Sequence, residues 1–194
     1  MKEKILKEFR ESISVKEKFI QEHLDTVIEV SKAIAAAFNE GNKLILFGNG
    51  GSSADASHIA AEFINRFKRE RPGLPAIALN TDIAVITSIA NDYDYSEIFS
   101  RQLKSLAFEG DVVIAITTSG HSANVIKAMD VAKKKKLKTI IFTGSKGEKL
   151  ASKASYSFVV PSDNTPRIQE THITLGHVLC LMVEEILFEE PRNK

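Results

Sequence analysis

Two junctions between an apolar run and a loop of small residues constrain this sequence more than any other feature. Residues 43–47 (KLILF) run into residues 48–53 (GNGGSS), and residues 111–116 (DVVIAI) run into residues 117–122 (TTSGHS). Each junction is typical of a buried strand that enters a helix through a short loop. Free backbone N–H groups and the positive dipole end at such a helix start favour an anion. The pair predicts a phosphorylated small molecule as ligand, although neither loop is a Walker A motif or a GxGxxG fingerprint.

The alternation of apolar runs and helical patterns predicts the fold class. Strands are expected near 43–47, 75–79, 111–116, 138–142 and 156–160, and helices near 53–67, 82–90, 96–107, 122–135, 146–152 and 166–188. Strands separated by helices imply right-handed crossovers and a parallel sheet that is covered on both faces. The prediction is an α/β, three-layer αβα sandwich around a five-stranded parallel sheet. Both small-residue loops then lie at the carboxyl ends of strands, where such sheets bind ligands.

The N-terminal segment has a different pattern. Residues 2–40 repeat apolar positions at helical spacing and end at Gly41, which predicts a helical arm over residues 1–40. The layers of the sandwich do not account for this arm, so we expect its apolar face to contact another subunit. The sequence therefore predicts a single domain over residues 1–194 with an N-terminal arm that serves oligomerisation.

Composition narrows the function classes. The 194 residues are 43% hydrophobic and 26% charged, which suffices for one domain with a full core. A formal net charge of +1 gives no electrostatic case for nucleic acid or a membrane as partner. Cys180 is the single cysteine, and we interpret it as a packed thiol because its neighbours in sequence are apolar. With no signal peptide or uninterrupted apolar span visible, the expected location is the cytoplasm.

Two polar stripes lie on helices that are otherwise apolar. His58 and Glu62 are four residues apart and share one helix face, and Gln169 and His177 form a second stripe on the last helix. One interpretation is a surface ion pair and a core histidine; the other is a proton-transfer site. Two such stripes beside two anion loops favour the second, since carboxylate and imidazole near a sugar phosphate are what acid/base chemistry requires.

The sequence resembles a known family over essentially its whole length. The motifs that carry the resemblance are NGGS at 49–52, His58-x-x-x-Glu62, RPGLPAI at 71–77, Asn91-Asp92, TSGHSANV at 118–125 and RIQETHI at 167–173. They are similar to the phosphoheptose isomerases of the sugar isomerase (SIS) fold group. This resemblance implies a cytoplasmic homotetramer that converts sedoheptulose 7-phosphate to D-glycero-D-manno-heptose 7-phosphate. That reaction is the first step of ADP-heptose synthesis for the lipopolysaccharide core or other surface glycans.

The resemblance also implies roles for individual residues. Glu62 would be the base that takes a proton from C1 of the ketose, and His177 would protonate C2. The implied substrate-binding residues are Glu62 and Gln169, Asn49, Gly50, Gly51 and Ser52 around the sugar, Asn91 and Asp92, and Thr117, Thr118, Ser119 and Ser122 around the phosphate. Some family members bind zinc, which implies one Zn²⁺ per subunit on His58, Glu62, Gln169 and His177. No nucleotide or redox cofactor is implied.

Two other functions remain alternatives at this point. A relative of the same fold is a non-catalytic tetramer that associates with the bacterial replication initiator, and residues 64–72 and 76–82 resemble it strongly. That relative lacks the counterparts of Glu62 and His177, so their presence here favours the enzyme. A phosphosugar-sensing regulator would need a DNA-binding segment, and residues 1–40 lack a basic recognition helix. His172, one turn from Gln169, is expected either in the core or as a support of the site.

Overall fold

Strands and helices alternate along the chain in the computed structural model, which describes residues 1–188. The strands are β1 (Leu44–Gly48), β2 (Ala76–Ala78), β3 (Val112–Ile116), β4 (Lys138–Gly144) and β5 (Tyr156–Val160). The helices are α1 (Lys2–Asn39), α2 (Gly51–Ile64), α3 (Ile83–Asp92), α4 (Ile98–Leu106), α5 (Ala123–Lys134), α6 (Glu148–Ala151) and α7 (Thr165–Phe188). Short 3₁₀ turns at Tyr95–Glu97 and Ser145–Gly147 precede α4 and α6, where the sequence predicted single longer helices.

The five strands form one sheet in the order β2-β1-β3-β4-β5, and every neighbouring pair is parallel. Side chains alternate between the two faces, as the period of a strand requires. Leu44, Leu46 and Ile114 pack in the cluster with α1, α2 and α7. Ile45 and Val113 pack in the cluster with α3, α4 and α5. The predicted α/β sandwich with a five-stranded parallel sheet is confirmed.

Helix α1 differs from the expected free arm. It is one continuous helix of 38 residues, and its C-terminal half belongs to the sandwich. Val30 and Ile34 are completely buried in the cluster that covers β1 and β3, because α1 packs along α7. The N-terminal half instead exposes apolar side chains, among them Phe9 at 68%. The sequence predicted that the whole arm lies outside the sandwich, and this prediction was wrong for the second half of α1.

Helix α7 is long and apolar enough to cross a membrane by length and composition, with a mean hydropathy of 1.4 over its most apolar window. In the fold it packs against α1 and α2, and Leu175, Leu179 and Val183 lie in the core. Its apolar character is thus accounted for by packing within the domain. Because α7 lies beside α2, the polar stripe of Gln169 and His177 lies next to that of His58 and Glu62.

Candidate active site

The two small-residue loops leave neighbouring strands at the same edge of the sheet. Gly48 ends β1 and pairs with Ile116, which ends β3. A Cβ atom on Gly48 would lie 2.7 Å from the carbonyl oxygen of Ile116 and 2.8 Å from Cβ of Ser52. Glycine is therefore required for α2 to start this close to β3. The close approach brings the start of α2 next to the loop that opens α5.

A small polar cavity of about 80 Å³ lies between these loops. It is lined by Asn49, Ser52, Ile116, Thr117, Thr118, Ser119, Ser122 and Gln169. The loop after β3 turns at Gly120, whose φ of 69° falls in the left-handed region that glycine tolerates. The N–H of Gly120 donates to Oγ1 of Thr117 at 3.2 Å. Hydroxyl groups and the N-terminus of α5 therefore surround a space suited to an anion.

Gly50 and Gly51 shape the wall of this cavity. Gly50 precedes α2 with a φ of 54°, which a side chain would strain. A Cβ atom on Gly51 would lie 2.4 Å from Nε2 of Gln169, so the glycine makes room for that amide. Both backbones thus belong to the site although neither glycine is among the lining residues.

Asn91 and Asp92 do not line the cavity. They are exposed at the end of α3, and the Asn91 amide donates to the Asp92 carboxylate at 2.9 Å. The segment that follows them does reach the site, because the Tyr95 hydroxyl donates to Oδ1 of Asn49 at 3.1 Å. The structure therefore brings Tyr95, rather than Asn91 or Asp92, into contact with the loop after β1.

The two polar stripes converge where α2 and α7 pack together. Nε2 of His58 lies 3.3 Å from Oε1 of Glu62 and 3.0 Å from Nε2 of His177. The ligand atoms of these three residues all lie within 4.8 Å of one another. Close helix packing makes this possible: a Cβ atom on Gly176 would meet Cδ1 of Ile59 at 2.5 Å. The structure thus brings together three of the four residues that the sequence predicted as metal ligands.

The donor chemistry of this cluster fits a divalent cation. Two imidazole nitrogens and one carboxylate oxygen are ligands that Zn²⁺ accepts, and a three-residue set leaves a coordination position open. Gln169 lies on α7 two turns before His177 and lines the anion cavity, so it links the cavity to the cluster along one helix. The residues present therefore fit a metal ion, with Gln169 toward the substrate side.

Sequence reasoning missed three residues at the site. Asn124 hydrogen-bonds the side chain of Asn49, and Tyr95 contacts the same amide. Asp55 lies one turn before His58 on α2, and burial raises the pKa of its carboxyl to about 6, while the His58 charge opposes the shift. Asn124 belongs to the TSGHSANV motif at 118–125, which could have pointed to it. Tyr95 and Asp55 lie only near motifs, and no sequence pattern marks them as site residues.

Cys180 and His172 both belong to the core. Burial raises the pKa of the Cys180 thiol to about 12, which makes it a packed, unreactive side chain. His172 is completely buried beside the Phe142 ring, and burial lowers its pKa to about 4. His172 is therefore a neutral core histidine at ordinary pH, on the same helix as Gln169 and His177.

A parallel sheet with an anion cavity at its carboxyl edge is a fold class that binds phosphorylated small molecules, and the sequence matches the SIS domain family over residues 8–144. The chain is 65% identical over 194 residues to a phosphoheptose isomerase from Thermodesulfovibrio yellowstonii, covering all of this chain and 96% of the relative. It belongs to the phosphoheptose isomerase family.

Solved structures agree with this assignment. A phosphoheptose isomerase from Francisella tularensis superposes with a TM-score of 0.90 at 36% identity, covering 94% of this chain and 97% of that one. A second, from Neisseria gonorrhoeae, gives 0.89 at 35% identity, covering 95% and 98%. The non-catalytic alternative is not favoured by these relatives. The Vibrio vulnificus NanR protein is 18% identical with a TM-score of 0.59, so it shares the fold alone.

Proposed function

We propose that this protein is an aldose-ketose isomerase that converts sedoheptulose 7-phosphate to D-glycero-D-manno-heptose 7-phosphate. The observation that carries the proposal is the convergence of His58, Glu62 and His177 within 4.8 Å, on helices whose N-terminal parts border a hydroxyl-lined cavity. An acid, a base and an anion site are what this reaction needs. The product would enter ADP-heptose synthesis for lipopolysaccharide core or other surface glycans.

The phosphate binds in the cavity between the two loops. The hydroxyl groups of Thr117, Thr118, Ser119 and Ser122 and the first N–H groups of α5 supply its hydrogen-bond donors. Asn49, Gly50, Gly51, Ser52 and Gln169 then border the sugar, whereas Asn91 and Asp92, which lie outside the cavity, would contact the substrate only where it extends toward the end of α3. Fixing the phosphate at one end places the carbonyl end of the sugar toward α2 and α7.

Glu62 and His177 carry the proton transfers. Glu62 removes a proton from C1 of the ketose, which gives an enediol, and His177 delivers a proton to C2 and moves the hydroxyl proton from O1 to O2. One proton leaves carbon and one returns, so the isomerisation balances with no redox cofactor. The direct contact of His58 with both groups holds them in one geometry.

We propose further that one Zn²⁺ per subunit binds to His58, Glu62 and His177, with Gln169 as the fourth ligand. Support comes from the donor set of the three converging side chains. A bound ion would polarise the carbonyl and hydroxyl oxygens of the substrate, and Glu62 would then be a weaker base than a free carboxylate.

The proposed assembly is a cytoplasmic homotetramer built on α1, with no nucleic acid or membrane partner. The N-terminal half of α1 exposes apolar side chains that a second copy can cover; they are Ile5, Leu6, Phe9, Ile13 and Ile20, and Leu24 continues the stripe into the second half. An apolar stripe of this length is a feature of interaction surfaces. A slot lined by Phe19, Ile20 and Leu175 between α1 and α7 continues that surface.

Incubation of the purified protein with sedoheptulose 7-phosphate, with the product identified by NMR, tests the proposed activity. We expect the aldose heptose 7-phosphate to form, and faster after addition of Zn²⁺ to chelator-treated protein. His177→Asn, purified in parallel, is the control for contaminating isomerase. No turnover by the wild-type protein with or without divalent metal would contradict the proposal and favour the scaffold function.

A further inference from the structure

A buried ion pair joins the ends of the two helices that carry the acid/base cluster. Arg71 lies in the loop after α2 and Glu184 near the end of α7, and the side chain of each is 1% exposed. Nε of Arg71 lies 3.8 Å from Oε2 of Glu184. Buried charges are costly unless they are paired and hydrogen-bonded, so this pair needs further partners.

The partners of Arg71 are carbonyl groups at the C-terminal end of α2. Its guanidinium donates to the carbonyl oxygens of Glu62 and Phe63, each at 2.9 Å, and to that of Pro72 at 3.1 Å. A cation at this helix end suits the dipole and satisfies carbonyls that the helix leaves free. Arg71 therefore fixes the turn of α2 on which Glu62 lies.

The partners of Glu184 are backbone N–H groups in the loop that follows α2. Its carboxylate accepts hydrogen bonds from the N–H of Lys68 at 3.1 Å and from the N–H of Arg69. The residue just before this pair is Phe67, whose ring stacks on the imidazole of His177 with centroids 5.7 Å apart and planes at 24°. Glu184 thus holds the loop that presses Phe67 against His177.

We propose that Glu184, anchored by Arg71, is a positioning residue that orients His177 through Phe67. The inference rests on the role of His177 given above. Glu184 lies two turns after His177 on α7, and its contacts are with Arg71 and with the N–H groups of Lys68 and Arg69 rather than with the side chains of the cluster. The stacked ring removes rotational freedom from the imidazole and leaves its Nε2 facing His58.

The first test uses kinetics of the full chain. We expect Glu184→Gln, which removes the charge and one acceptor, to lower kcat about 5- to 20-fold with KM for sedoheptulose 7-phosphate unchanged, because the phosphate cavity is untouched. Phe67→Leu should likewise lower kcat and leave KM unchanged. Phe67→Tyr, which keeps the aromatic ring, should have the kcat of the wild type. Lys68→Ala, which keeps the backbone N–H, is the matched control and should match the wild type.

A second readout is independent of turnover. The Hε1 resonance of His177 should carry an upfield ring-current shift in the wild type and in Phe67→Tyr, and it should lose that shift in Phe67→Leu and Glu184→Gln. If Glu184→Gln fails to fold, Glu184→Asp, which keeps the charge but withdraws the carboxylate from the Lys68 and Arg69 N–H groups, takes its place, and wild-type kcat with an unchanged His177 resonance in the Glu184 variant would also overturn the inference. Wild-type kcat and an unchanged His177 resonance in Phe67→Leu would overturn the inference. An inactive wild type whose resonance still shifts in this way would contradict the proposed function and leave the positioning role supported.

Discussion

The side-chain amides of Asn49 and Asn124 hydrogen-bond each other in both directions, with Nδ2 to Oδ1 distances of 2.9 Å for each bond. Oδ1 of Asn124 also accepts the N–H of Val125 in the first turn of α5 at 2.9 Å. Asn49 belongs to the loop after β1, and Asn124 to the helix after the second loop. This pair therefore locks the two sides of the anion cavity together.

Asn124→Ala should disturb both stability and substrate binding. It removes both hydrogen bonds between the two amides and leaves the partly buried Asn49 side chain with the Tyr95 hydroxyl alone, so we expect the free energy of unfolding to fall by about 1–3 kcal/mol. KM for the sugar phosphate should rise several-fold, because the two loops can separate. Chemical denaturation and steady-state kinetics measure the two effects, with Asn39→Ala at the exposed end of α1 as the control. A variant with unchanged unfolding energy and KM would show that the pair does not hold the cavity.

Glu62→Gln and His177→Asn should each lower kcat by roughly 10²-fold or more, the usual effect of losing a general acid or base. Glu62→Gln keeps the volume of the side chain, and His177→Asn shortens it without adding bulk, so the fold and KM should change little. The kinetics are measured at saturating Zn²⁺, so that metal loss is not the cause of any fall in kcat. A variant with near-normal turnover would exclude that residue from the proton transfers.

Ser119→Ala and Ser122→Ala should raise KM with little change in kcat. Each removes a hydroxyl donor to a charged phosphate, a loss of about 1.5–3 kcal/mol or roughly ten- to a hundredfold in KM. Ser105→Ala is the matched control, since Ser105 is exposed on α4 and its hydroxyl donates to the Arg101 carbonyl, away from the cavity. If both loop variants keep the wild-type KM, the phosphate binds elsewhere.

His172 should make stability depend on pH. Burial lowers its pKa from 6.5 to about 4 in the native state, so the unfolded chain takes up a proton at a pH where the folded chain does not. As pH falls from 6.5 to 4, the native state should lose about 3 kcal/mol of stability through this residue. His172→Leu should flatten that part of the curve, measured by urea unfolding at fixed protein concentration. Exposed His121→Gln is the control, and an equal slope in His172→Leu would contradict the assignment.

Local sequence patterns predicted those parts of the site that lie within one element or directly after it. The spacing of His58 and Glu62 places them on one face of α2, and each hydroxyl-rich loop follows its own strand. The meeting of His58 and His177 was predicted through the family resemblance and not through any local pattern, and the structure alone gives the order of the strands and the Arg71–Glu184 pair. These contacts join residues far apart in sequence, and no periodicity reports them.

The arm shows the same limit in a different form. Its helical spacing predicted α1, but the spacing is the same in the half that the core buries and in the half that stays exposed. Both halves contact α7, since Arg167 at the start of α7 donates to the Glu8 carbonyl at 2.6 Å, but most of the residues that α1 buries in the sheet cluster lie in the second half. That difference comes from the surroundings of the helix and cannot be read from its own sequence.

Replacing Phe9 and Ile13 with glutamate should separate assembly from folding. Deleting residues 2–40 cannot do so, because Val30 and Ile34 belong to the core of the sandwich. Phe9 and Ile13 are 68% and 55% exposed, so charges there leave the domain intact but oppose burial between subunits.

We expect the double variant to sediment as monomers or dimers. Its circular dichroism spectrum should match that of the wild type. It should also lose activity if neighbouring subunits complete each other's active sites. The matched control is Lys2→Glu with Lys4→Glu, which changes charge at the start of the same helix without touching its apolar stripe. Sedimentation velocity over a range of protein concentrations measures the assembly. A double variant that remains a fully active tetramer would show that the interface is built from the sandwich and not from the N-terminal half of α1.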